Sequence, residues 1–395
     1  MSATVEVTGQ LYTSRELAMP LAVPNGQLIG RVSVGGRNLN LAGVTASVTI
    51  RFGRVDPTDA PTPSSISLEL LDLADAHPIN CGDLIEVDLI GAVPRFRGWV
   101  TDLAQPWDSD TGTLQLIGSG NLARIYRRKI GNADWPQETW SARVARVFAD
   151  AEWTAYTVQA GPDNPLVASR LASETTLGAE LENLATTAAA AICDRPDGSV
   201  LVQAMTARQA ITTPVLVLPP ELVLFAPAWS QSLDVVNLVD VAYGTIEDGH
   251  TVTSRNDSSV TRYGERSASV GSTFALSADA AAYGAAMVNR RGFPHWLVPT
   301  IQLAGLITPA IGALVMLRDL PAGSPVGSQW QPVCEGWVDT LEGDAWLTML
   351  QVSDPIRSGM TLPWRNLPTD LIWSAVAPAC KWADSYDLNH LLGIS

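Results

Sequence analysis

Arg97-Gly98-Trp99-Val100-Thr101-Asp102-Leu103 returns 238 residues further on as Glu335-Gly336-Trp337-Val338-Asp339-Thr340-Leu341. A glycine-led apolar stretch precedes each copy: Gly82-Asp83-Leu84-Ile85-Glu86-Val87 in the first, Gly312-Ala313-Leu314-Val315-Met316-Leu317 in the second. After each copy comes a short turn and another strand-like run, Thr113-Leu114-Gln115-Leu116 or Trp346-Leu347-Thr348-Met349. The glycine-led stretches are 230 residues apart, so the second copy carries eight more loop residues. Strand, loop, strand with a buried tryptophan, and hairpin return recur in the same order, which marks an internal duplication. The reading is two related β-barrels separated by α/β material.

Outward from this repeat, Val44-Thr45-Ala46-Ser47-Val48-Thr49-Ile50 is rich in β-branched residues and reads as a strand. A Pro-rich loop then leads to Ile66-Ser67-Leu68-Glu69-Leu70-Leu71, and Ile85-Glu86-Val87-Asp88-Leu89 alternates with the period of two of a half-buried strand. Residues 95–103 and 113–117 form a hairpin around Asp108-Ser109-Asp110-Thr111-Gly112, while Gly118-Ser119-Gly120 reads as a short turn. Near Asn121 the pattern changes. Residues 139–151 put Trp140, Val144, Val147, Phe148 and Ala151 on one helical stripe. A second helix, starting near Thr175 or Thr176, aligns Leu177, Leu181, Leu184 and Ala188 before the turn Asp194-Arg195-Pro196-Asp197-Gly198 and the strand Ser199-Val200-Leu201-Val202-Gln203. β signals resume at Val235-Val236-Asn237-Leu238-Val239-Asp240-Val241. A hairpin tip at Glu247-Asp248-Gly249, a polar segment over 254–261 and a helix over 278–291 follow. From Trp296 to Pro355 the chain reads as β again. The uncharged run 297–317 contains Pro299, Pro309, Gly305 and Gly312, so it predicts two strands turning at Thr308-Pro309 rather than a membrane span.

The expected fold class is α+β: two related β-barrel domains with interleaved small α/β modules, an extended N-terminal arm and a C-terminal tail. The boundaries are 1–30 for the arm, 31–120 for the first barrel and 121–222 for the α/β module. Residues 223–250 with 297–357 make the second barrel, 251–296 the inserted small α/β module, and 358–395 the Trp/Pro-rich tail. In the tail Trp364, Trp373 and Trp382 recur every nine residues, and Pro363, Pro368 and Pro378 exclude a continuous helix. An extended segment with spaced aromatic anchors fits, wrapping a neighbouring surface or strapping the chain's own body. These three tryptophans are the candidate partner-binding residues.

Forty acidic against 25 basic residues give a net charge of −15, and only Lys129 and Lys381 among the basic residues are lysine. This arginine-for-lysine bias suggests GC-rich coding. No basic run exceeds Arg127-Arg128-Lys129, which argues against a nucleic-acid grip. At 46% apolar and 16% charged residues, the composition is that of an ordered globular chain. The opening residues lack the basic and apolar regions of a signal peptide. Cys81, Cys193, Cys334 and Cys380 lie far apart and read as buried free thiols. His77, His250, His295 and His390 are scattered, with no pair at metal spacing, and the P-loop, nucleophile-elbow and dinucleotide fingerprints are absent. Asp108 and Asp110 lack the later acid of a calcium loop. Asp56 and Asp59 lack a partner for glycoside hydrolysis, and Cys81 with His77 across Pro78 reads as packing. No enzyme, metal or cofactor is expected.

Several local patterns occur in a telling order. They are Ile50-Arg51-Phe52-Gly53-Arg54 with Pro61-Thr62-Pro63-Ser64-Ser65, then Arg95-Phe96-Arg97-Gly98-Trp99-Val100, then Val236-Asn237-Leu238-Val239-Asp240-Val241, then Arg262-Tyr263-Gly264-Glu265-Arg266. Over roughly residues 40–357 the chain thereby resembles the tail-tip or baseplate hub, a minor tail protein, of long-tailed bacteriophages. The resemblance implies a structural virion protein at the phage tail tip, made in the host cytoplasm. It implies a closed homotrimer whose barrels alternate into a pseudo-sixfold ring, adapting a sixfold tail tube to threefold tip proteins around the DNA exit channel. The implied partners are the distal tail protein ring, the tape-measure protein and downstream receptor-binding or fibre proteins, with no sequence-specific nucleic-acid binding and no stable membrane insertion. A carbohydrate-binding tail protein recognising the host cell wall is the alternative, since thirteen tryptophans would suit sugar stacking, although most sit in strand patterns that read as core. A wall-degrading enzyme with an acid pair assembled by the fold is a third reading.

Overall fold

The alternating stretches of the first 120 residues become seven strands: β1 (Ile29–Val34), β2 (Arg37–Leu39), β3 (Thr45–Gly53), β4 (Ser65–Leu70), β5 (Leu84–Leu89), β6 (Val93–Ala104) and β7 (Leu114–Gly120). In β4 the period of two is complete, with Ile66, Leu68 and Leu70 buried between half-exposed neighbours. The computed structural model describes residues 4–7, 10–13 and, with breaks, 29–354. The breaks fall at 40–44, 56–58, 71–78, 90–92, 105–113 and at shorter stretches between 210 and 344. Within the expected N-terminal arm, Thr4–Val7 and Gln10–Thr13 pair as an antiparallel hairpin. Gly118 and Gly120 belong to β7 rather than to a turn. A Cβ on Gly118 would lie 2.4 Å from Ile85 Cδ1, and one on Gly120 2.2 Å from Ser64 Oγ, so glycine serves close approach here, not chain reversal.

The chain passes from β7 into α1 (Asn121–Ile125), α2 (Trp140–Asp150), β8 (Tyr156–Gln159), α3 (Leu177–Ala188), β9 (Ala191–Asp194) and β10 (Val200–Gln203). Thr139 and Thr176 cap α2 and α3 by accepting the N–H groups of Ala142 and Ala179. The two predicted stripes meet: Trp140, Val144, Val147 and Phe148 share one core with Leu177, Leu181 and Leu184. The central strand β10 runs parallel to β8 and antiparallel to β9. Then come α4 (Met205–Gln209) and β11 (Leu216–Leu218).

A second small unit follows. In it β12 (Leu238–Gly244) is flanked by antiparallel β13 (Gly249–Arg255) and, after α5 (Asp257–Tyr263), by parallel β14 (Ser267–Val270). The helix α6 (Ser277–Arg291) packs on β12 and β13. Val236, Val239, Val241, Phe274, Ala280 and Val288 form its core. The sequence places β12 in the second barrel, but both its edges are paired inside this unit. The polar segment 254–261 includes the start of α5, capped by Asn256 through Ser259 N–H.

The chain returns to the large sheet with β15 (Thr300–Ala304), followed by β16 (Val315–Leu317), β17 (Val333–Glu342) and β18 (Ala345–Ser353). The run 297–317 therefore contains strands, with Thr308 outside the described residues. Among the described residues no helix is long and apolar enough to cross a membrane. The sheet order is β15-β18-β17-β3-β4-β7-β6-β5-β1-β2, and every pair is antiparallel. At the β3–β17 seam Phe52 stands opposite Trp337 and Ile50 opposite Asp339. Strands from both expected barrels thus share one ten-stranded sheet. Arg95 on β6 and Asp339 on β17 are four strands apart, about 19 Å in a flat sheet at ~4.8 Å per strand. They nevertheless form a buried ion pair, so the sheet must curl around a common core. Phe52 is central there, with ring centroids 6.2 Å from Phe96 and 5.0 Å from Trp337.

The two copies of the repeat fall on β5-β6-β7 and on β16-β17-β18, where β16 pairs in parallel with β11 and meets the segment at the start of β17 through the bridges Leu314–Val333 and Leu317–Trp330. Gly82 N–H donates to Val100 O at 2.8 Å, and Gly312 N–H to Cys334 O at 2.7 Å. This match sets Val100 against Cys334, a four-residue slip from the alignment of Gly98 with Gly336. The two tryptophans also differ. Trp337 is buried because β17 is covered on both faces, whereas Trp99 is half-exposed on the outer face of β6. Its Nε1 donates to Asn121 Oδ1 at 2.7 Å, and the Arg124 guanidinium lies 3.8 Å from its ring centre.

Gly336 leaves no space for a side chain: a Cβ would sit 2.4 Å from Phe52 O across the seam. Gly336→Ala is expected to cost about 2–4 kcal/mol, read as a lower urea midpoint. At Gly271, where nothing lies within 4 Å of such an atom, the same change should cost less than ~0.5 kcal/mol.

Candidate functional site

Three segments distant in sequence converge on one carboxylate. Glu335, at the start of β17, is fully buried. It accepts from Arg54 Nε at 2.8 Å, Arg208 Nη1 at 3.3 Å and Ser353 Oγ at 2.7 Å. Arg54 follows β3, Arg208 lies on α4, and Ser353 ends β18. The guanidiniums also donate to the chain leaving α3: Arg54 Nη1 to Ala190 O at 3.3 Å and Arg208 Nη2 to Ala189 O at 2.8 Å. Burial opposes charge on Glu335, yet the two arginines and Ser353 hold its carboxyl below the usual range. Burial pushes Arg208 down to about 10 and does the same to Arg290 on α6.

Two further buried acids join elements. Asp339 accepts from Arg95, from Thr348 Oγ1 at 2.9 Å and from Trp337 Nε1 at 3.2 Å. Asp194, at the end of β9, accepts from Ser64 N and Leu122 N, both at 2.8 Å, and from Ser64 Oγ at 3.2 Å. It supplies α1 with a cap from another strand, where Gly120 has no side chain to give. Burial pushes the Asp194 carboxyl up to about 6, against the pull of its three donors. The lone acid in the apolar run Val333-Cys334-Glu335-Gly336-Trp337 was the sequence signal for this network. Nothing local singles out Arg54, Arg208 or Asp194.

Two clefts open on the body, and the first borders the Glu335 network through Arg54 and Arg208. A groove of about 470 Å³ lies between α3 and α6, with 268–271 along one side and Arg54, Arg208 and Arg290 in its lining. A cleft of about 860 Å³ is lined by Trp135, Arg143, Arg170, Glu180 and Asn183. Trp135 is held between Arg143 and Arg170, 5.1 and 4.9 Å from its ring centre, and is itself buried.

Trp364, Trp373 and Trp382 lie outside the described residues, as do His77, His295, His390, Cys380, Asp56, Asp108 and Asp110. Cys193 and Cys334 are buried, and burial pushes the Cys193 thiol up to about 12. Cys81 departs from the expectation of burial: it is exposed in the tight turn where Asp83 N–H donates to Asn80 O. Asp59 accepts from Val55 N–H at 3.1 Å, and His250 is exposed 5.4 Å from the Tyr243 ring. Among the described residues no group of three His, Cys, Asp or Glu side chains is placed to hold a metal ion.

No family model matches the sequence, and no curated protein matches it either. Solved structures do. The 43 kDa tail protein of prophage MuSo2 from Shewanella oneidensis superposes with a TM-score of 0.61 at 15% identity, over 83% of this chain and 99% of that one. A tail protein from Neisseria meningitidis gives 0.59 at 14% identity, over 85% and 99%. Prophage tail protein gp18 from Listeria monocytogenes gives 0.56 at 9% identity, over 82% and 94%. The chain shares the fold of these three proteins. At such identities the shared property of these tail proteins is the arrangement of strands and modules.

Glu335→Gln would leave Arg54 and Arg208 buried without a countercharge, and a loss of about 3–5 kcal/mol is expected on chemical denaturation. Asp194 has a folded-state pKa above its unfolded one, so the folded form binds more protons between the two values. Its contribution should therefore favour folding as pH falls from 7 through about 6 and be fully gained below the ordinary aspartate range. The difference in unfolding free energy between wild type and Asp194→Asn, followed from pH 8 to 4, should show that slope.

Proposed function

We propose that this chain is the trimeric hub at a phage tail tip, a structural protein that adapts a sixfold tube to threefold tip proteins and surrounds the DNA exit channel. The observation carrying this reading is the fold shared with tail proteins, matched over nearly the whole length of the Shewanella and Neisseria proteins. The internal duplication supports the symmetry. Each chain brings two copies of the repeat, β5-β6-β7 and β16-β17-β18, and three chains bring six similar docking units around a closed ring. The two copies stand for the two related barrels, joined at β3–β17. The proposed partners are the distal tail protein ring, the tape-measure protein and downstream receptor-binding or fibre proteins. Trp364, Trp373 and Trp382 are proposed as anchors of the tail.

Charge fits the role. A trimer carries −45, three times the −15 of one chain, and an acidic lumen repels passing DNA. The carbohydrate reading is less well supported: of nine described tryptophans, Trp135, Trp140, Trp330, Trp337 and Trp346 are buried and offer no stacking face. Native mass spectrometry of the full chain tests the proposal. A species near three times 42.1 kDa is expected. A chain that remains monomeric when mixed with a distal tail ring would overturn it.

A further inference from the structure

The groove between α3 and α6 has one feature of a peptide-binding site that its volume alone does not convey. Its side is an open strand edge. In the order β13-β12-β14, β14 pairs only with β12, and beyond that pairing no backbone hydrogen bond from 267–271 reaches another described residue. Ser267, Ser269 and Gly271 are exposed. Ala185 of α3 and Ala189 just after it form one wall, with Tyr283 and Met287 of α6 opposite. Small side chains and a methionine leave room for an extended backbone and adapt to its side chains. Arg54 and Arg208 share the buried carboxylate of Glu335, and Arg290 and Arg291 line the same groove with Asp59 and Glu182, Arg291 being paired with Asp234.

The chain itself supplies an occupant. β18 ends at Ser353, whose hydroxyl donates to Glu335, so residues 355–395 leave the described structure beside the arginines of the groove. In that segment Thr369-Asp370-Leu371-Ile372-Trp373-Ser374-Ala375-Val376-Ala377 is bounded by Pro368 and Pro378, contains no proline, and has strand-forming residues behind an acid. Fifteen residues from 355 to 369 span up to about 50 Å when extended, ample to reach a neighbouring groove. We infer that residues 369–377 add as a strand to the free edge of β14 in the same chain, with Asp370 facing the groove arginines. Backbone pairing gives the affinity in this mode of recognition, and side chains give the register. This names a surface for the tail anchors proposed above and is independent of ring formation, which native mass measures separately.

Hydrogen exchange at residue resolution on the full chain tests the inference. The outward amides of 267–271 should exchange at least tenfold more slowly in wild type than in Ile372→Pro, a change in the tail that removes one donor and leaves the folded body intact. Asp370→Asn and Arg290→Gln should each speed exchange several-fold. Equal exchange in wild type and Ile372→Pro would overturn the inference, whether the amides are open or covered by something else. Protection lost on dilution would assign the strand to a second copy and overturn the intramolecular placement.

Discussion

The Glu335 carboxylate is the constraint on which the rest of the structure depends. Taking it out of water costs several kcal/mol, and its arginines and serine offset that cost only when all are in place. Those partners come from the end of β3, from α4 and from the end of β18, so one residue checks the position of three segments. Register is part of the check. Side chains alternate faces along a strand, and a slip of β17 by one residue would turn Glu335 away from both arginines. The β3–β17 seam, the only direct strand pairing between the early and late parts of the large sheet among the described residues, is thereby tied to the α/β module.

Arginine usage takes on a physical meaning in this light. The near absence of lysine reads as coding bias in the sequence, yet Arg54, Arg95, Arg143, Arg170 and Arg208 each meet a carboxylate in the interior or at its margin. A guanidinium presents several donors in a fixed plane and can serve a carboxylate and a carbonyl together, as Arg208 does with Glu335 and Ala189. Net charge is therefore a poor guide to local field. The chain is strongly acidic overall, while the lining of the groove beside α6 carries four arginines, Arg54, Arg208, Arg290 and Arg291, against two acids, Asp59 and Glu182.

The likeness to tail proteins at 9–15% identity shows which features persist when residues do not. An overall arrangement of strands and helices can be rebuilt from many side chains, because burial asks for apolar character and approximate volume. The two copies of the repeat in this chain make the same point internally. They keep the glycine-to-carbonyl contact of Gly82 and Gly312 while slipping by four residues and changing the surroundings of their tryptophans.

Periodic patterns were legible in the residues. The stripes of α2 and α3, the inward rows of β4 and β5 and the helix expected over 278–291 all follow from local spacing, since burial on one face imposes its period on the sequence. Pairing partners were not legible. Nothing near Ile50 announces Asp339 as its opposite number, and β12 carries the same signals whether it joins the large sheet or the small one. Glycine misled in β7 because a residue without Cβ suits both a turn and a close contact, and only the neighbours Ile85 and Ser64 distinguish them. The candidate site follows the same division. A lone glutamate in an apolar strand hints at burial, but its partners stand 127 and 281 residues away. The sequence alone determined which faces must be buried, because that is a property of each segment. The tertiary structure decided which buried face and which buried charge meet, because that depends on how the whole sheet curls.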